Sequence, residues 1–172
     1  AGPPAVLKQI AAAGTRITLL SAKHKYVGLR QRVLGVGRVL ERSETAQLIL
    51  EQLDSTWDQV QRQIAIQTRA SAVRPVRVLF VLAHSPAQVL VAGAFTAAQA
   101  MLDYAGAVNA LQGFKGYKPL TPESMIAAQP DCLLVTEQGL QAAGGLEAIL
   151  KLPGLAQTPA GRSQAVVAMD AL

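Results

Sequence analysis

From Ser43 to Arg69 the chain contains neither proline nor glycine, and that run constrains the fold more than any other feature. Uninterrupted by either residue, it predicts one long helix. Ser43 offers an N-cap hydroxyl, and Glu44 and Glu51 place negative charge toward the positive end of the helix dipole. Leu48, Ile49, Leu53, Trp57, Val60, Ile64 and Ile66 recur largely at three- and four-residue steps, so one side packs. At 1.5 Å per residue such a helix reaches about 40 Å, more than a small α/β lobe needs. Because α/β material lies on both sides of it, the helix is expected to join two lobes.

The composition narrows the function classes. The chain has 172 residues, 51% hydrophobic and 16% charged, which allows one domain or two small ones. A net charge of +5 invites an anionic partner. Apart from Lys23-His24-Lys25 and the arginines at 30, 32, 38 and 42, however, the charge is dispersed and aromatics are few, which argues against nucleic acid. The single cysteine, Cys132, excludes an intrachain disulfide and a cysteine-based zinc site, and its apolar run to Val135 predicts a buried strand. No segment reaches the roughly 18 apolar residues of a membrane span, and no signal-peptide pattern is present. The abrupt ends, Ala1-Gly2-Pro3-Pro4 and Asp170-Ala171-Leu172, read as those of a fragment.

The remaining elements follow from turn and period signals. A helix runs from Pro3-Pro4 to about Ala13, stopped by Gly14. Arg16 to Leu20 reads as a buried strand, 21–25 as a loop, and Tyr26 to Gly35 as a helix broken by Gly35 and Gly37. After a linker at 70–75, Val76 to Leu82 is a near-continuous apolar strand suited to a parallel sheet covered on both faces. A loop at 83–93, a helix at 96–104, irregular chain at 109–118 and a short helix opened by Thr121-Pro122-Glu123 come next. Strands at 132–136 and 165–169, with one or two short helices between 138 and 150, complete an open α/β lobe. Ligands of such sheets bind beyond the carboxyl ends of the strands, here loops 21–25, 83–95 and 136–145.

Several stretches resemble periplasmic substrate-binding proteins of the iron-chelate, cobalamin and haem class. They are L-G-V-G-R-V-L before the long helix, V-A-G-A-F-T-A-A-Q-A-M-L-D-Y-A-G-A-V-N-A, G-Y-K-P-L-T-P-E and A-A-Q-P-D-C-L-L-V-T. H-S-P-A-Q-V-L-V-A-G and T-E-Q-G-L-Q-A-A-G-G-L-E-A-I-L-K-L-P-G-L-A-Q-T-P-A-G are similar to the haem binders that feed ABC importers. The likeness extends from Gly2 to Asp170. It implies an α/β fold of two Rossmann-like lobes joined by one long spine helix, with haem as the transported ligand, a permease dimer as partner and the periplasm as location. Residues 1–42 would then be the end of an incomplete N-terminal lobe, 43–70 the spine and 71–172 the C-terminal lobe. The resemblance also implies that the family's haem-ligating tyrosine with its neighbouring arginine precedes Ala1, and that a second arginine follows Leu172. With its first lobe truncated, the fragment is expected to exchange partners or swap domains.

Within that frame the candidate residues each carry two readings. His84, after the strongest strand, is a haem-iron ligand or a histidine bonded to loop backbone. Tyr26 is a ligand at a cleft edge or a packing residue at a helix start. Lys23 and Lys25, flanking a solvated His24, would attract propionates. Gly93 and Ala94 let the backbone approach a flat ligand and expose helix-start amides to a carboxylate, or they form a tight turn. Tyr117 and Phe114 wall the site or cap the lobe. Glu123 matches the acidic residue with which the family docks onto permease arginines, or it favours its own helix N-terminus.

Nothing in the sequence pairs a nucleophile with a base. There is no G-x-S-x-G, no H-E-x-x-H and no G-x-x-x-x-G-K, and Gly35-Val36-Gly37 lacks both a third glycine and a preceding strand. The expectation is a binding protein rather than an enzyme. A ferric-siderophore or cobalamin binder of the same class is the nearest alternative. An α/β enzyme or metallocluster domain is the alternative of another class, and a cluster would need several cysteines.

Overall fold

The structure, a computed structural model, describes residues 4–70, 74–85 and 88–170; for Arg69, Ala70 and His84 it describes the backbone alone. The chain divides into two compact units, Ala1–Asp58 and Gln59–Leu172.

The first unit is helical. Helix α1 (Pro4–Ala12) carries no buried residue, and Gly14 turns away from it at φ 84°. Helix α2 (Tyr26–Val39) continues through Gly35 and Gly37, which were expected to break it. Both glycines are buried because another group occupies the place of a side chain. A Cβ on Gly37 would lie 2.4 Å from the Ala46 Cβ, and one on Gly35 2.6 Å from the Leu20 side chain. Close approach, not chain reversal, is what these glycines provide. Residues 16–20, expected as a buried strand, form no ladder with any described residue, and Leu19 is 80% exposed. A strand exists only through its pairing partners, so an apolar run without one stays extended coil. Arg32 holds the following segment by donating to the Ser21 and Lys23 carbonyls.

The long helix forms as predicted, as α3 (Ser43–Ala70), with Ser43 as its first residue rather than its cap. In the first unit α3 meets α2 through a compact network. The Tyr26 ring stacks on Trp57 at 4.3 Å, its hydroxyl donates to Asp54 Oδ1 at 2.8 Å, and Arg30 pairs with the same carboxylate.

The second unit is built on a mixed sheet. Its strands are β1 (Arg77–Ser85), β2 (Gln88–Ala92), β3 (Val108–Asn109), β4 (Tyr117–Pro119), β5 (Cys132–Thr136) and β6 (Val166–Met169). They lie in the order β4-β2-β1-β5-β6, with β3 on the opening residues of β1. β1, β5 and β6 are parallel, but β2 returns antiparallel to β1. The segment 83–93 is therefore largely a hairpin rather than the loop expected, and the sheet is not the all-parallel one expected. The irregular stretch at 109–118 yields the short β3 and β4. Cys132 is half-buried, not fully buried.

Helices α4 (Ala97–Tyr104), α5 (Pro122–Ala128), α6 (Glu137–Ala142), α7 (Leu146–Leu150) and α8 (Pro159–Ser163) connect the strands. Four of the five begin on a threonine, and Thr96, Thr121, Thr136 and Thr158 each accept a backbone N–H as N-cap; α7 begins on Gly145. Leu79, Val81, Met125, Leu133, Val135, Ile149 and Leu155 form the larger core, and Phe80, Ala92 and Ala98 a smaller one on the other face. Arg74 grips Asp131 with two hydrogen bonds, and the Arg77 amide donates to the same carboxylate, tying the entry of β1 to the entry of β5.

Candidate functional site

The predicted site residues fall in both units. In the first, Lys23, His24 and Lys25 are exposed. Tyr26 is committed elsewhere. Burial and the hydrogen bond to Asp54 push its phenol above its usual pKa, which opposes the phenolate that iron would need. Its packing reading is the one this geometry favours. The same unit holds an open groove of about 590 Å³ between residues 16–21 and α2, lined by Arg16, Leu19, Leu20, Gln31 and Arg38 among others.

In the second unit the reversal of β2 separates residues that the sequence reading assigned to one loop, 83–95. Val91 stands opposite Val81, and the register breaks between Ala83 and Ser85, where His84 forms the β-bulge. Gly93 follows β2 two residues beyond Val91 in the other direction. Along strands rising about 3.4 Å per residue, His84 and Gly93 are about 17 Å apart. The His84 side chain lies outside the described residues.

Gly93 and Ala94 do not offer free amides. Gly93 N–H donates to the Gly116 carbonyl at 2.8 Å and Ala94 N–H to the Phe114 carbonyl at 2.9 Å. A Cβ on Gly93 would lie 2.6 Å from the Phe114 ring, so glycine here makes room for Phe114 rather than for a ligand. Phe114 accordingly packs against the larger core. These two amides are thus occupied within the turn that leads to the helix start at Thr96.

What does assemble around Ala94 is aromatic and cationic. Tyr117 on β4 lies opposite Ala92 and is 45% exposed. The Lys118 Nζ stands 4.2 Å from the Phe114 ring centroid, and the Lys115 Nζ 5.1 Å from that of Phe95. Phe95, Lys115 and Lys118 were not singled out from the sequence. The visible signal was a large ring in the small-residue turn G-A-F-T just before a helix cap.

Glu123 is exposed in the first turn of α5, beside the reciprocal Thr121–Ser124 capping box, and makes no ion pair with any described residue. Among the described residues no three His, Cys, Asp or Glu side chains gather as a metal site. No described helix is long and apolar enough to cross a membrane.

The family described as periplasmic binding protein matches residues 15–172. Among solved structures, the chain is similar along its whole length to the periplasmic heme-binding protein BhuT in complex with two hemes, at 43% identity and a TM-score of 0.92. It is also similar over 99% of its length to the periplasmic heme-binding protein RhuT from Roseiflexus sp. RS-1 in apo form, at 36% identity and a TM-score of 0.89. The periplasmic heme-binding protein HutB of Vibrio cholerae matches over 98% of the chain, at 32% identity and a TM-score of 0.77. The chain spans 64% of the length of each of these three proteins. No curated protein matches it.

Proposed function

Because the chain belongs to the periplasmic binding protein family, we propose that it binds haem in the periplasm and serves its delivery to an ABC importer. The observation that carries this reading is the 43% identity maintained along the whole chain to a protein seen holding two hemes. The cationic, aromatic surface of the second unit supports it, because haem combines a flat apolar ring with carboxylates. Delivery would require binding and release but no chemical step. In this reading residues 1–42 end a first lobe, 43–70 form the helix between lobes, and 71–172 form the second lobe.

A haemin titration of the chain and of His84→Ala, followed at the Soret band, tests the proposal. The wild-type chain should give a saturable shift, and loss of that shift in the variant would place an iron ligand on the β1–β2 hairpin. A chain that saturates with a ferric siderophore or with cobalamin and ignores haemin would overturn it.

Glu123 is proposed to dock on the permease. Its exposed, unpaired carboxylate supports this role. In the full-length carrier, Glu123→Lys should cut importer-coupled haem uptake about tenfold or more while leaving haemin affinity unchanged. Uptake at the wild-type rate would exclude the residue from docking.

A further inference from the structure

Phe95 is costly where it stands. Its φ is 61°, in the left-handed region where a bulky side chain is an outlier. The residue is 74% exposed and belongs to neither core. Glycine would relieve the backbone here, and a polar residue would suit the solvent better. A strained backbone that carries an exposed ring gains nothing from packing, which is the pattern of a contact residue.

The surroundings define what the ring would contact. Ala94 bridges to Lys115 through the backbone, which carries the lysine alongside the ring. Lys115 and Lys118 form no ion pair with a described carboxylate, so their charge is available to an anion. The Thr96 side chain, bonded to the Gly93 carbonyl and the Gln99 amide, fixes the turn from which Phe95 projects. The chemistry that answers an exposed ring beside ammonium groups without carboxylate partners among the described residues is a flat conjugated ligand carrying carboxylates.

We propose that Phe95 stacks on the tetrapyrrole face and that Lys115 pairs with one of its carboxylates, a contact that deepens, and rests on, the haem-binding reading above. Stacking and ion pairing at this seat need no iron. The metal-free ring should therefore use it as well as haemin does.

The test titrates the chain with haemin, with metal-free protoporphyrin IX and with the dimethyl ester of that porphyrin. Phe95→Gly should bind both acidic porphyrins about tenfold more weakly while its Tm stays level or rises, because the strain is gone. Phe95→Tyr should stay within about twofold of the wild-type chain. Lys115→Gln should weaken both acidic porphyrins and leave the diester unaffected. Binding of Phe95→Gly within twofold of wild type would overturn the proposal while the haem reading stands. A lowered Tm in that variant would assign the ring to packing, and an effect confined to haemin would assign it to iron; either overturns the seat. Failure of the full-length carrier to bind haemin would overturn the haem reading and the seat together.

Discussion

The two units bury their residues in different ways. In the second unit, large side chains from several elements converge on both faces of a sheet, and Leu79, Val81, Leu133, Ile149 and Leu155 are fully enclosed. In the first unit the buried positions are Gly28, Gly35, Gly37, Ala46 and Leu50, while Leu19, Leu34, Val39, Leu40 and Leu48 face outward. One unit is held by apolar volume and the other by close backbone contact and a polar network. Apolar burial is the larger source of stability, so the second unit should dominate the unfolding free energy.

The sharpest break of that comparison comes from leucine truncation. Leu133→Ala should cost about 2–5 kcal/mol, whereas Leu40→Ala, at a position 63% exposed, should stay within about 0.5 kcal/mol. Urea unfolding followed by circular dichroism measures both. The only tryptophan, Trp57, stacks on Tyr26 within the first unit and reports on that contact. If its fluorescence changes at the same urea concentration as the dichroism in every variant, the two units unfold as one and the contrast is wrong.

A smaller effect tests the glycine contacts. Gly37→Ala would press a methyl group against Ala46 and should cost about 1–3 kcal/mol, read in the Trp57 signal. A silent substitution would show that α2 and α3 can separate freely.

The smallest effect is the most local. The Arg30 guanidinium, and after it the Tyr26 hydroxyl, hold the Asp54 carboxyl below its ordinary pKa. The folded value is the depressed one, so this stabilisation is complete above about pH 4 and is lost as pH falls through the folded pKa. Asp131, held low chiefly by Arg74, gives the second unit an acid dependence of the same sign. Asp54→Asn should therefore remove the acid-induced change in Trp57 fluorescence and leave the dichroism of the sheet to respond as before. An unchanged fluorescence profile would mean that Trp57 senses some other carboxylate.

Sequence legibility followed the range of the interactions involved. Cys132–Thr136, the helix over 43–70 and the cap at Thr121 were readable because each is encoded by its own residues and their immediate neighbours. Residues 16–20 misled because an apolar run announces a strand without saying whether a partner is present. Gly35 and Gly37 misled because a glycine that lets two helices touch looks, in one dimension, like one that ends a helix. The 83–93 hairpin was missed for a further reason: Pro86 reads as a loop signal, and the partner of β1 lay next to it in sequence. That error carried into the site, since it put His84 and Gly93 in one ligand loop, 83–95, when the strand reversal draws them apart. Phe95 escaped notice because its backbone strain has no signature in composition or period.

The reversal of β2 also bears on how the molecule forms. β1 is paired along both edges, but its two main neighbours stand at very different distances along the chain. β2 follows after only Pro86 and Ala87, whereas β5 begins at Cys132, beyond α4, β3, β4 and α5. Closing the short turn costs little chain entropy and takes about 1–10 μs for an isolated hairpin, while the parallel partner must wait for a long crossover to be drawn in. The β1–β2 ribbon is thus placed to exist first, as the template on which β5 and then β6 are laid down, and the surface that carries Phe95 is attached to the part of the sheet with the least distance to travel.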